Sequence, residues 1–326
     1  MEPHPGWLMT RRGFLGAAAA SGAIAGAGCA RRSLAADPPG KSAVAILRAS
    51  SYREDLADRL ARGAALCGLE ARGKRVLLKP NLVEFDRNSV IHTQAEVLAA
   101  AVTLFERLGA SEITIGEGPG HRRDAWFLAE EAGYRAAIPD FDARFVDLNR
   151  DEVSRVAPFA GNEGIYLART ALAADLVVSI ARMKTHHWAG ATLSMKNLFG
   201  VVPGALYGWP KNHLHQVGIP DCVAGLYRTF PRSFAIVDGI VGMEGNGPIQ
   251  GRARPCGVLV MGSDLAAVDA TCCRIMGIDP EKIEYLRLAS RQGRVREASI
   301  EQRGELIPQV RTSFELIPEF RHVRLV

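Results

Sequence analysis

Between Lys184 and Gly200 the chain reads KTHHWAGATLSMKNLFG, two lysines, two histidines, two threonines, a serine and an asparagine directly behind the apolar run Leu176–Ile180. Lys184 and Lys196 can supply positive charge to a small anion, and Ser194 and Asn197 can add hydrogen bonds. His186 can carry a proton or ligate a metal. Lys79-Pro80-Asn81 offers the same chemistry elsewhere. Pro80 stops helix continuation, so Lys79 and Asn81 are presented together where the run Arg75–Lys79 ends.

Carboxylates form a second group. Glu117, within Gly116-Glu117-Gly118-Pro119-Gly120, stands where glycines let backbone approach a ligand and where an acid could serve as base or metal ligand. Pro119 and the lack of a suitably spaced acidic partner argue against a dinucleotide fingerprint. Asp238 and Glu244 leave the run Phe234–Val237 through a glycine-rich turn ending at Gly247-Pro248, and two carboxylates there could work as acid and base or bind a divalent metal. His213-x-His215 could clamp a metal with His186 or Glu244, although the spacing is not the helical i, i+4 pair. No metal identity follows. Thr93 is expected to cap a helix, with Glu96 completing a capping box, and Asp264 to cap another. Asp269, inside the apolar stretch Ala266–Met276, must find a partner or keep its proton.

These residues need a frame. Strand-like runs at 44–48, 75–79, 112–116, 144–147, 176–180, 234–237 and 258–261 alternate with helical patterns at 53–66, 94–108, 123–132 and 266–276. Such alternation predicts an α/β fold, a mostly parallel sheet with helices on both faces, as one domain or two interleaved lobes. Ligands in such sheets bind at the carboxyl ends of the strands, where these residues fall. The Gly-, Pro- and aromatic-rich stretch 197–219 reads as a lid or binding loop. The predicted organisation is a signal at 1–36, a linker at 37–43, the α/β domain at 44–290 and a polar extension at 291–326.

The N-terminus reads as an export signal: Thr10-Arg11-Arg12-Gly13-Phe14-Leu15 precedes the small, apolar run 16–28, which is shorter than a membrane span. Cleavage after Ala30 or Ala35 and lipidation of Cys29 are both open. The twin-arginine translocase is the implied export partner, the location is periplasmic or otherwise exported, and membrane contact comes only through the signal or a lipid on Cys29. Loss of residues 1–36, with four arginines and one glutamate, takes the formal charge from +5 to +2, so no nucleic-acid partner is expected. Cys67, Cys222, Cys256, Cys272 and Cys273 contain no C-x-x-C pair and support no iron–sulfur cluster.

The chain resembles the domain-of-unknown-function family 362. The resemblance rests on Lys79-Pro80-Asn81, on Lys184-Thr185-His186 followed by Ser194-x-Lys196-Asn197-x-x-Gly200, on Asp238-Gly239-Ile240 with Met243-Glu244-Gly245-x-Gly247-Pro248, and on Asp264 with Ala267-Val268-Asp269-Ala270. It covers roughly residues 44–290. It implies one shared site at the strand tips without naming a reaction. Some members carry an appended ferredoxin-like cysteine cluster, which this chain lacks. The reading that follows is an exported enzyme acting on a small anion. Lys79, Asn81, Lys184, Ser194, Lys196 and Asn197 would bind it, and His186, Glu117, Asp238 and Glu244 would act in catalysis or hold a metal. A non-catalytic anion-binding protein and a subunit of a redox complex are the alternatives.

Overall fold

Alternate residues of each strand enter different cores. In β1 (Ser42–Arg48), Val44 and Ile46 face one side while Ala45 and Leu47 face the other; in β2 (Arg75–Lys79), Leu77 opposes Val76 and Leu78. A sheet buried on both faces needs such two-sided apolar strands, and helices must cover it twice. Helices α1 (Leu56–Leu66) and α2 (Ala95–Arg107) cover one face, with α3 (Ala125–Glu131) beside them. The short α4 (Ser194–Asn197), α6 (Ile219–Thr229) and α7 (Leu265–Ile275) cover the other, and α5 (Asn212–Val217) precedes α6. The computed structural model describes residues 39–326 except 85, 87, 88 and 121–123. The expected export motif, its cleavage points and Cys29 therefore lie outside the described residues.

The remaining strands are β3 (Glu112–Glu117), β4 (Phe145–Asp147), β5 (Val153–Val156), β6 (Ile165–Ala168), β7 (Leu176–His186), β8 (Gly190–Thr192), β9 (Ser233–Glu244), β10 (Arg252–Gly262) and β11 (Ile300–Gly304). The main sheet runs β11-β1-β10-β9-β7-β2-β3-β4, with β8 added to the end of β7, and β5 and β6 form a separate hairpin. Pairing is parallel from β9 through β4 and between β1 and β11; β10 is antiparallel to both its neighbours. The fold is thus α/β with a mostly parallel sheet. From β2 the chain moves to β3 and β4 on one side, whereas β7, on the other side of β2, leads to β9. The crevice between the ends of β2 and β7 is a topological switch point, where open α/β sheets take their ligands.

Three differences from the sequence expectation have physical causes. Strands β7 and β9 continue to His186 and Glu244, well past Ile180 and Val237, because the charges in their second halves are paired inside the sheet. Residues 291–326 are not peripheral: β11 pairs with β1 from Ser42↔Ile300 to Ile46↔Gly304, and Phe314 and Leu316 are core residues. The described residues fall in one compact unit rather than two lobes.

Candidate anion site

Strand ends bring three of the singled-out residues together: Lys79 from β2, Glu117 from β3 and His186 from β7. Lys79 and Glu117 form a buried ion pair, Nζ to Oε2 at 2.7 Å. Lys79 also donates to Pro80 O at 3.1 Å and Asn197 Oδ1 at 3.2 Å, which uses all three of its hydrogens. Glu117 accepts in addition from the amides of Leu82 and Gly118. So coordinated, Glu117 is the counter-ion of Lys79 rather than a free base. Asn197 completes the frame by donating to Lys79 O and Ser179 Oγ, each at 3.1 Å.

Helix α4, which presents Lys196 and Asn197, has no cap of its own. Asp269 of α7 supplies one: its carboxylate accepts from the amides of Ser194 at 2.8 Å and Met195 at 3.1 Å and from the Ser194 hydroxyl. Burial raises the Asp269 pKa to about 7 against the pull of these hydrogen bonds. Ser194 is thereby a positioning residue, buried away from the cavity. The chain leaves α4 so close to the ion pair that a Cβ on Gly200 would stand 1.8 Å from Glu117 Oε1 and 2.4 Å from Lys79 Cε. The spacing Ser194-x-Lys196-Asn197-x-x-Gly200 is the sequence trace of this arrangement.

Beside the ion pair lies a cavity of about 260 Å³. Its polar lining comprises Lys79, Asn81, Glu117, His186, His187, Thr192, Lys196, Asn197, Lys211 and His215, and its apolar wall includes Leu82, Val83, Trp188, Phe199 and Ile249. Lys196 is half-buried, with its Nζ 3.7 Å from the centroid of the Phe199 ring. Burial, then the charge of Lys79, lowers its pKa to about 8. Lys211 donates to Gly118 O at 2.7 Å and Phe199 O at 2.9 Å, and burial pushes its pKa down to about 7 although Glu117 opposes the shift. Its backbone is left-handed at φ 66, an unusual conformation for a lysine that turns the chain back toward the strand tips.

His186 Nδ1 accepts from the amides of Trp188 at 2.9 Å and Ala189 at 3.2 Å, so the neutral ring carries its proton on Nε2. Burial first, then Lys196, holds its pKa well below the usual histidine range. His187 has the other tautomer, since Nδ1 lies 2.8 Å from the carbonyl of Gly247 and must donate to it. His215 packs edge-on to Trp188 with ring centroids 5.2 Å apart. Asn81 Oδ1 and Thr192 Oγ1 are buried without a hydrogen-bond partner among the described residues.

Four expected residues lie outside the cavity. Ser194 serves Asp269. Lys184 donates to Ile91 O at 2.9 Å and Pro248 O at 3.4 Å, tying two loops to the sheet, and burial drives its pKa well down. Asp238 sits in the middle of β9 and not at its tip. It pairs with Arg182 and accepts from Tyr52 OH at 3.0 Å and from Gln94 N at 3.3 Å, the first residue before α2. Helix α2 thus starts one residue later than a Thr93 cap would have it: Gln94 is its N-cap and makes no side-chain capping hydrogen bond. Thr93 is already engaged, accepting from Asn81 N at 2.9 Å and donating to Ile180 O at 2.6 Å. Glu244 accepts from Arg252 Nε at 2.9 Å and Glu315 N at 2.8 Å at the far end of β9. His213 is exposed on helix α5 and stacks on Tyr207, so it forms no clamp with His215. Among the described residues no group of three or more His, Cys, Asp or Glu side chains could hold a metal ion. The divalent-metal expectation therefore lacks a ligand set there.

Lys211 and Arg182 were missed from sequence. Lys211 could have been found as the single cation in the apolar, glycine-rich stretch 197–210 and its immediate exit; Arg182 carried no comparable signal. The five described cysteines are free thiols.

Fold and cavity define an open α/β protein with a cationic strand-tip site at a switch point. Residues 76–274 match the family described as "Domain of unknown function (DUF362)", and the chain belongs to that family. The matched segment spans every residue of the site from Lys79 to Asp269. The thylakoid-associated protein sll1697 of Synechocystis sp. (strain ATCC 27184 / PCC 6803 / Kazusa) is 29% identical over 226 residues, 68% of this chain and 68% of that protein. Among solved structures, the lactate racemase apoprotein from Thermoanaerobacterium thermosaccharolyticum superposes with a TM-score of 0.47 at 14% identity, over 73% of this chain and 57% of that chain. That likeness is too distant to bear on chemistry.

Proposed function

We propose that this is an exported enzyme acting on a small organic anion held in the cavity beside Lys79 and Glu117. One observation carries the reading: three lysines and a single carboxylate line one half-open cavity. Glu117 neutralises Lys79, which leaves two amines whose charge is expensive to keep dry without an anion. A bound carboxylate or sulfate restores the balance. The cavity lies below the roughly 300 Å³ of ordinary ligand pockets, which favours a small molecule. Lys196 and Lys211, releasing protons near pH 8 and 7, are suited to proton transfer at neutral pH, and the neutral His186 can donate a hydrogen bond from Nε2. Metal assistance forms no part of the proposal, since the described residues offer no ligand set.

Calorimetric titration with acetate and with sulfate tests it. Saturable binding that weakens at least tenfold in Lys196→Met is expected, about 1.4 kcal/mol. Binding of neither anion would refute the reading. Export is supported by Thr10–Leu15, and a location at a membrane accords with the name of the cyanobacterial relative. A fusion of residues 1–36 to a reporter should reach the periplasm of a twin-arginine-competent host and stay behind when Arg11 and Arg12 become lysine.

A further inference from the structure

We infer that Lys196 is an imine-forming amine, and that the substrate class is a small anion bearing an aldehyde or ketone, in its simplest form a 2-oxo carboxylate. This rests on the anion reading above and narrows it. The three cavity lysines are not equivalent. Lys79 has spent its hydrogens on Glu117, Pro80 and Asn197, and Lys211 has given two to backbone carbonyls. Lys196 has no hydrogen bond or ion pair among the described residues and rests against the face of Phe199. A lysine retained only for its charge would gain from a carboxylate, and the one carboxylate in the cavity is taken. Contact with the ring favours the ammonium, yet burial and Lys79 prevail and the proton leaves at about pH 8. A free amine in a confined, cationic space is the activated form of a lysine nucleophile.

The reaction balances without an oxidant or reductant. The Nζ lone pair attacks the carbonyl carbon and the C–O π bond opens as the C–N bond forms. The oxygen collects two protons, replacing the two lost from nitrogen, and leaves as water as the C=N bond closes. The two protons are those the nitrogen gives up, passed to the oxygen in turn; the neutral His186, with its proton on Nε2, lines the same cavity and can donate a hydrogen bond to the developing alkoxide without giving that proton up. Asn81 Oδ1 fits this sequence. An amide oxygen can only accept, and a 2-oxo carboxylate brings no donor, whereas the carbinolamine formed on Lys196 carries both O–H and N–H. A buried acceptor left unpaired until the intermediate forms favours the intermediate over the substrate, while the Thr192 hydroxyl can donate to an oxygen of either.

The test is reductive trapping. Purified full chain is incubated with pyruvate, glyoxylate or acetaldehyde and sodium cyanoborohydride, then read by intact mass and peptide mapping. One reduced adduct per chain on Lys196 is expected, with a rate that rises through a midpoint about pH 8, lost in Lys196→Arg and kept in the exposed Lys41→Gln. Circular dichroism confirms that Lys196→Arg is folded. Adducts scattered over exposed lysines, or unchanged in Lys196→Arg, overturn the inference. Acetate and sulfate binding without a Lys196 adduct overturns the imine while the anion reading stands. A Lys196 adduct from acetaldehyde in a protein that binds neither anion supports the imine and refutes the anion reading.

Discussion

Anion binding at this site should draw protons from solution. At pH 7.5, pKa values of about 7 for Lys211 and about 8 for Lys196 leave these amines about one quarter and about three quarters protonated, so together they lack about one proton. An anion within reach of both raises each pKa by about 1–3 units, which fills most of that deficit. Sulfate is the suitable ligand because it does not itself titrate in this range. Calorimetric enthalpies measured in buffers of different ionisation enthalpy should give a slope of about one proton taken up per sulfate at pH 7.5, falling toward zero at pH 6, where both lysines are already charged. Lys211→Gln should remove about three quarters of the uptake, because Lys211 holds most of the deficit. Saturable binding with no proton uptake at pH 7.5 would mean that both amines are charged in the free protein, and the electrostatic reasoning would fail.

Three further outcomes are expected. Glu117→Gln leaves the Lys79 ammonium buried without its counter-charge and should cost about 3–5 kcal/mol in urea unfolding; a loss below about 1 kcal/mol would show that Lys79 is neutral in the folded protein. Gly200→Ala forces a methyl group into the ion pair and should cost about 1–3 kcal/mol while weakening acetate binding, whereas Gly73→Ala, at an open position, should leave binding unchanged. Asp269 has a folded pKa raised above its unfolded value to about 7, so its contribution is fully present below about pH 4 and is lost as pH rises through 7. Asp269→Asn should flatten the fall in unfolding free energy between pH 5 and 7, and an unchanged slope would assign that fall to another group.

Where side chains obey the backbone period, sequence was sufficient. The bounds of β2 coincide with expectation because its apolar residues alternate between two cores and Pro80 ends it. The same logic cut β7 and β9 short. Arg182, Lys184, Asp238 and Glu244 look like loop residues until their partners are known, and those partners are up to 186 residues away, as with Asp238 and Tyr52. Of the expected site residues, the six now seen to line the cavity lie at strand tips or on the short helix that Asp269 holds. Asp238 and Glu244 were grouped with them because a strand ending at Val237 would place both in the glycine-rich turn behind it, whereas β9 runs on to Glu244. Lys211 left only a compositional trace, because its position depends on how an irregular stretch folds back, which no period encodes.

The first strand of the sheet is enclosed by the last two. β1 lies between β10 and β11, so the strand nearest the N-terminus finds its first partner only once residue 262 has been synthesised and its second only at residue 304. Pairing of such distant segments is slow and comes late. If residues 1–36 are the export signal, the tether that follows them is anchored to the strand that is enclosed only when β10 and β11 are both in place. A translocase that carries folded cargo would then find, next to the sequence it reads, a strand whose order registers that the sheet has closed around it.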